Sequence, residues 1–168
     1  MDRDYSIVEY LVQAGADVNY GTGEGYTALH SNIDLNGPSG TGKLPYKIAR
    51  LLKEHGADVE AKNHYGWTPL MRAALEGTKD EFKALLEIGA RYDTPYDQTR
   101  SMPEFTRGRS IAGVVLAEPE KLQILIDFGF KPARYLIDLA NEIRKGTDKH
   151  GRFSKAVKRS VEIIKEHL

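Results

Sequence analysis

The chain has 168 residues with 40% apolar and 29% charged side chains, 24 basic groups balancing 24 acidic ones, and this suits one ordinary globular domain. It has no cysteine, which excludes a disulfide framework, a cysteine nucleophile and a cysteine-based zinc site and fits a reducing compartment. Its acidic start, Met1-Asp2-Arg3-Asp4, lacks an apolar signal core, and no stretch approaches the roughly 20 apolar residues of a membrane span, so a soluble, cytoplasmic chain is expected.

In chain order, the first apolar helical segment is Ile7-Val8-Glu9-Tyr10-Leu11-Val12, and Gly15-Ala16-Asp17-Val18-Asn19 follows it. The pattern returns as Ile48-Ala49-Arg50-Leu51-Leu52 before Gly56-Ala57-Asp58-Val59-Glu60, and as Phe82-Lys83-Ala84-Leu85-Leu86 before Gly89-Ala90-Arg91. A looser copy is Leu122-Gln123-Ile124-Leu125-Ile126 before Gly129-Phe130-Lys131. In each segment apolar residues recur at i, i+3 and i+4, as on one buried helix face, and the glycine stands where a left-handed C-cap residue is wanted. Between these segments Thr27 and Thr68 are placed as helix N-caps, with Pro69 at the first helical position, where its missing N–H loses nothing. Ala73 and Ala74 keep that helix thin, and Thr78 with Glu81 forms a capping box for the next one. A unit repeated at a near-fixed period predicts a solenoid. One such helix pair cannot bury its own apolar face, so neighbours must stack.

The most complete copy reads Asn63-His64-Tyr65-Gly66-Trp67-Thr68-Pro69-Leu70-Met71-Arg72-Ala73-Ala74 before Gly77, and an earlier one reads Gly25-Tyr26-Thr27-Ala28-Leu29-His30. Together with the Gly-Ala-Asp phrases, these residues resemble the ankyrin repeat family, closely over 4–94 and more loosely over 108–132. Met71 stands where the family usually has His, and Ala28 where it usually has Pro. The resemblance implies an all-α ankyrin solenoid of stacked helix-turn-helix pairs with short β-hairpin-like finger loops, forming one domain over 1–168. Its repeats would be 4–21, 22–62 with an insertion at 35–44, 63–95, and 96–131 with an extended finger at 94–109, closed by a helical cap at 132–168. It also implies a function, since family members grip partner proteins with finger tips and the exposed face of the short first helices. Carried over by register, the partner-binding residues are Glu24, Tyr26, His64, Tyr65, Trp67, Leu75 and Glu76, beside Gly21, Gly23 and Lys62. An exposed Trp67 indole would be a hot-spot anchor, or would stack on Tyr26 between adjacent fingers and stiffen the concave face. His30 has a family role in fastening its own turn.

The closing glycines lie 41, 33 and 40 residues apart, against the family's 33, so two intervals carry insertions of 8 and 7 residues. Inserted loops on a regular scaffold are where function concentrates. The first contains Gly37-Pro38-Ser39-Gly40-Thr41-Gly42-Lys43, the Gly-x4-Gly-Lys opening of a phosphate-binding loop. Leu44 replaces the Ser or Thr that would hold Mg²⁺, and Ser31-Asn32-Ile33-Asp34-Leu35 is too polar for the buried strand such a loop follows. A flexible Gly/Ser connection is the favoured reading there, with nucleotide binding the alternative. The second runs from Tyr92 to Arg109 and carries Tyr96, Arg100, Met102, Phe105, Arg107 and Arg109, types enriched at protein interfaces. These either meet a partner or fold back with Tyr92 as a local mini-core.

Residues 1–130 hold 14 basic and 19 acidic side chains, and residues 131–168 hold 10 and 5. The basic end, with Lys155, Lys158, Arg159 and Lys165 around Phe153, Val157, Val161 and Ile164, reads as an amphipathic cap on the stack. Nucleic-acid or membrane-surface binding through that helix is its alternative reading. The histidines His30, His55, His64, His150 and His167 lack the i, i+4 pairing of a metal site, and no catalytic constellation stands out. The expectation is therefore a monomeric, non-enzymatic protein without metal or cofactor that recognises another protein, not nucleic acid or membrane. Small ankyrin chains with irregular inserts resemble bacterial immunity proteins that plug a toxin, and an acidic body would complement a toxin's cationic cleft.

Overall fold

Each closing glycine adopts the left-handed conformation its position called for: φ is +86° at Gly15, +89° at Gly56, +93° at Gly89 and +93° at Gly129. The computed structural model describes residues 3–32, 44–96, 110–147 and 152–168. At each of these glycines the chain turns back on the helix end through the same pair of bonds. Gly15 N–H donates to Val12 O at 3.0 Å and Ala16 N–H to Leu11 O at 3.0 Å; Gly56 with Ala57, Gly89 with Ala90, and Gly129 with Phe130 repeat the arrangement. These are Schellman closures, which satisfy carbonyls that a helix end would otherwise leave bare.

The described residues form two compact units, one over 3–32 and 44–91, the other over 92–96, 110–147 and 152–168. In the first, the helices are α1 (Arg3–Gln13), α2 (Ala28–Ser31), α3 (Leu44–Glu54), α4 (Pro69–Leu75) and α5 (Lys79–Glu87). The long helices pack as a row, α1 on α3 and α3 on α5, and the short ones pack α2 on α4. Their shared core holds Ile48, Leu52, Leu70, Met71, Phe82 and Leu85, all buried, and buried Ala73 and Ala74 keep α4 thin enough for that approach. Thr68 Oγ1 accepts from Met71 N–H at 3.3 Å with Pro69 next in line, and Thr78 and Glu81 close a reciprocal capping box at 3.3 and 2.6 Å.

Polar ties between repeats recur in register. Asn19 reaches into the next turn, donating to Gly56 O at 2.9 Å and accepting from Asp58 N–H at 2.7 Å. Glu60, the equivalent residue one repeat on, accepts from Arg91 N–H at 2.8 Å. Lys53 donates from Nζ to Ile88 O, the carbonyl at the end of α5. Stability in such an array is approximately a sum over units and their interfaces, and these bonds belong to the interface part.

The second unit contains α6 (Ile111–Val114), a 3₁₀ turn at Val115–Ala117, α7 (Pro119–Asp127), α8 (Tyr135–Thr147) and α9 (Arg152–Glu166). Ser110 caps α6 by accepting from Gly113 N–H at 3.2 Å. At the head of α7 the capping pair has changed sign: Glu118 is the N-cap, and buried Lys121, in the register of Glu81, donates to its carboxylate at 2.9 and 3.0 Å. The basic terminal helix is amphipathic as expected, burying Val157, Ser160, Ile163 and Ile164 against the 3₁₀ turn, α7 and α8. Tyr92 packs edge-on against Phe130 with ring centroids 6.0 Å apart, and Tyr96 is 1% exposed. For these two the fold-back alternative holds, and Tyr96 is corrected from an outward residue to a core one, since packing its large ring inside removes apolar area from water. Arg100, Met102, Phe105, Arg107 and Arg109 lie outside the described residues, as does the Gly37–Lys43 loop.

Candidate partner-binding site

Two fingers of the first unit are built alike. Thr22 N–H donates to Tyr26 O at 3.0 Å and Gly25 N–H to Thr22 O at 2.8 Å; forty-one residues on, Asn63 N–H donates to Trp67 O at 3.1 Å and Gly66 N–H to Asn63 O at 2.9 Å. The side chain at each finger's base adds a second hold, Thr22 Oγ1 accepting from Tyr26 N–H at 3.2 Å and Asn63 Oδ1 from Tyr65 and Trp67 N–H at 3.0 and 2.9 Å. His64 N–H donates to Glu24 O at 3.0 Å, so the fingers are joined backbone to backbone. A Cβ on Gly25 would stand 3.0 Å from the His64 ring and 3.1 Å from Asn63 Cα, at a φ of +79°. Glycine is required there for both reasons.

The fingers carry an aromatic ladder. The Tyr65 ring lies 6.5 Å from Tyr26 and 5.8 Å from Trp67, at tilted angles of 48° and 42°. Tyr26 and Trp67, the two residues at equivalent positions, stack on each other in the alternative reading of this pair; in the structure Tyr65 contacts both rings. Arg72 of α4 caps the outer end, its guanidinium 4.7 Å from the Tyr26 ring centroid, while Nε pairs with Glu76 at 3.1 Å and Nη1 donates to His30 O at 2.9 Å. A cation held over a ring and bonded at two further points is rigid and largely desolvated, being only 12% exposed. Burial pushes the Tyr26 phenol upward, and Arg72 opposes that shift.

Beneath the ladder His30 is fully buried and fastens the two repeats. Thr27 N–H donates to its Nδ1 at 3.2 Å, which assigns the proton to Nε2, and Nε2 donates to Trp67 O at 2.9 Å. Its expected role in securing its own turn is therefore extended by a bond 37 residues away. In the next repeat Met71 takes the first half of that job, its sulfur accepting from Thr68 N–H at 3.4 Å. Loss of solvation lowers the His30 pKa, with Arg72 adding to the drop and the Trp67 carbonyl opposing it. The imidazole stays neutral at pH 7.

Of the residues chosen by register, Glu24, His64 and Glu76 are exposed, and Tyr26, Tyr65 and Leu75 are half-buried. Trp67 requires correction. Its side chain is 7% exposed, because its backbone is held at both ends, by Asn63 and His30, and Tyr65 covers its ring. The indole supports the surface from below. Arg72 was missed by the sequence reading, although its i, i+4 relation to Glu76 was there to be read. Among the described residues no group of three or more His, Asp or Glu could hold a metal, and no helix is long and apolar enough to cross a membrane.

Helix pairs closed by left-handed glycines and laced together finger to finger define a stacked-repeat scaffold, a class that works by presenting a surface. The model for ankyrin repeats in three copies matches residues 1–96, more than half of the chain, and the chain belongs to the ankyrin repeat family. Ankyrin repeats are protein–protein interaction modules. Similar proteins include a Rickettsia felis chain classed with the ankyrin repeat proteins, 37% identical over 49% of this chain and 35% of its own length. Ankyrin repeat protein nuc-2 of Neurospora crassa is 40% identical over 51% of this chain and 7% of its own length. Human ankyrin repeat and SOCS box protein 16 is 34% identical over 71% and 26%. The chain thus spans about a third or less of each of these relatives.

Proposed function

We propose that this chain binds one partner protein through the finger tips and short-helix face of its first unit, and that it acts as an immunity or inhibitor protein that occludes a toxin enzyme. The observation that carries the binding site is the ladder Tyr26–Tyr65–Trp67 with Arg72 fixed across its end. Such a surface loses little conformational freedom on binding, and Tyr and Arg are the types that dominate interface energies. The exposed carboxylate of Glu24 flanks the ladder and favours a cationic partner, while that of Glu76 is shared with Arg72. The same acidity supports the inhibitor reading, since an enzyme that cuts nucleic acid carries a cationic cleft, and freedom from cysteine suits an antagonist at work in a reducing compartment such as the cytoplasm. Leu75 and His64 complete the rim. The inserted finger contributes Arg100, Met102, Phe105, Arg107 and Arg109 to the same partner. The job is non-covalent and needs no cofactor or catalytic group.

The test is affinity capture from the source cell, followed by titration of the captured protein against the wild-type chain and Tyr65→Ala. Truncating a hot-spot tyrosine weakens binding by about 30-fold or more. A dominant partner whose affinity Tyr65→Ala and Glu76→Ala leave unchanged overturns the site. For the inhibitor role, a captured enzyme is assayed with and without equimolar chain. Undiminished activity in the complex overturns that role while leaving the binding site standing.

A further inference from the structure

The seam between α8 and α9 is a groove of about 290 Å³ within the second unit. Its floor is mixed, with half-buried Ile137 and Asn141 on α8 and half-buried Val161 on α9, while Val157 beside them is buried. Its rim is cationic: Arg144 stands on the α8 side and Lys158 and Lys165 on the α9 side. None of the three makes an ion pair among the described residues. The single carboxylate on the rim, Glu162, is engaged by Arg159 Nη1 at 3.1 Å, and the same nitrogen lies 3.9 Å from Glu166. Three cations without an ion-pair partner among the described residues therefore converge on one trough. Lys158 and Lys165 are seven residues apart, two helical turns or about 10 Å along α9, and Ile137 and Arg144 are spaced alike on α8.

We infer that this groove docks an acidic amphipathic helix of a partner protein. A helix two to three turns long sets an apolar side chain on half-exposed Ile137 and Val161 and carboxylates on either flank against Lys158, Lys165 and Arg144. Charge complementarity selects this occupant over the two others that a basic helix suggests. A bilayer would need the apolar stripe of α9 turned outward, and Val157, Ile163 and Ile164 are buried within the unit. A nucleic-acid strand would need stacking faces, and among its lining residues the trough has no aromatic ring and carries a carboxylate at its edge. The inference stands apart from the finger site, because the two share no residue.

The experiment uses the full chain and a fluorescein-labelled helical peptide of about three turns, with leucines along one face and glutamates on both sides of it. Anisotropy is expected to show saturable binding that weakens roughly tenfold in the Lys158→Glu, Lys165→Glu double variant, and likewise when the peptide's glutamates become glutamines. Rising salt weakens it in the wild type and has little effect on the residual binding of the double variant. Both lysines are solvent-exposed, so the double variant keeps its helical circular dichroism; Val161→Asp tests the floor separately. Tyr65→Ala leaves peptide affinity unchanged. Equal affinity of the double variant and the wild type overturns the inference. So does preferential binding of phosphatidylserine vesicles or short single-stranded DNA, or self-association that accounts for the signal.

Discussion

His30 shows how a single side chain converts burial into a pH-dependent contribution. The free imidazole titrates near 6.5, and burial lowers the native value, so at acid pH the unfolded chain takes up a proton that the folded chain resists. The sign follows: its contribution is complete above the free value and is lost as pH falls from about 6.5 through the depressed native value. Urea midpoints of the wild type are expected to fall between pH 7.5 and pH 5 by more than those of His30→Gln, whose amide does not titrate over that range. Parallel pH profiles for the two proteins would contradict this account. Lys121 illustrates a different residue-scale solution. It is buried at a position that in α5 holds the capping Glu81, and it is tolerated because the N-cap beside it became Glu118, with which it pairs.

At the scale of the element, register decides what a side chain is worth. Ile7, Tyr10 and Leu11 of α1 occupy the register of Ile48, Leu51 and Leu52 of α3, yet Leu11 is 49% exposed and Leu52 is 2% exposed. The two helices have similar sequences; α3 has a long helix packed on each side, and α1 has α3 on one side. Leu52→Ala is therefore expected to cost about 2–5 kcal/mol, the usual range for a buried leucine, and Leu11→Ala under about 1 kcal/mol. Denaturant unfolding of both variants measures the difference, and comparable losses would refute the stacking argument. The helix ends were legible in the sequence: Thr78 with Glu81, and Gly56 after Leu52-Lys53-Glu54-His55, act through bonds spanning three to five residues. A bond that local needs no knowledge of the fold. Trp67 was misread for the opposite reason, since its orientation depends on His30, 37 residues earlier in another repeat.

For the molecule as a whole, charge is distributed where the net value of zero conceals it, with 14 basic against 19 acidic residues up to 130 and 10 against 5 beyond. On the proposed function, the acidic recognition surface draws a cationic partner by long-range attraction, which salt screens over about 8–10 Å. For the partner captured through the fingers, the association rate is expected to fall steeply between low and high ionic strength, with the dissociation rate changing much less. Stopped-flow or surface-based kinetics across a salt series checks this, and a flat association rate would remove electrostatic steering from the account. The sequence by itself determined the repeat, the helix pairs, their caps and the family, because each depends on periodicity or on hydrogen bonds between near neighbours. Tertiary structure alone decided which aromatic residues face solvent, that Arg72 closes the ladder and that Arg144, Lys158 and Lys165 share a groove. Those outcomes depend on which repeat or helix lies alongside, as when Arg72 bonds to a carbonyl 42 residues away, and no local pattern encodes a neighbour that distant.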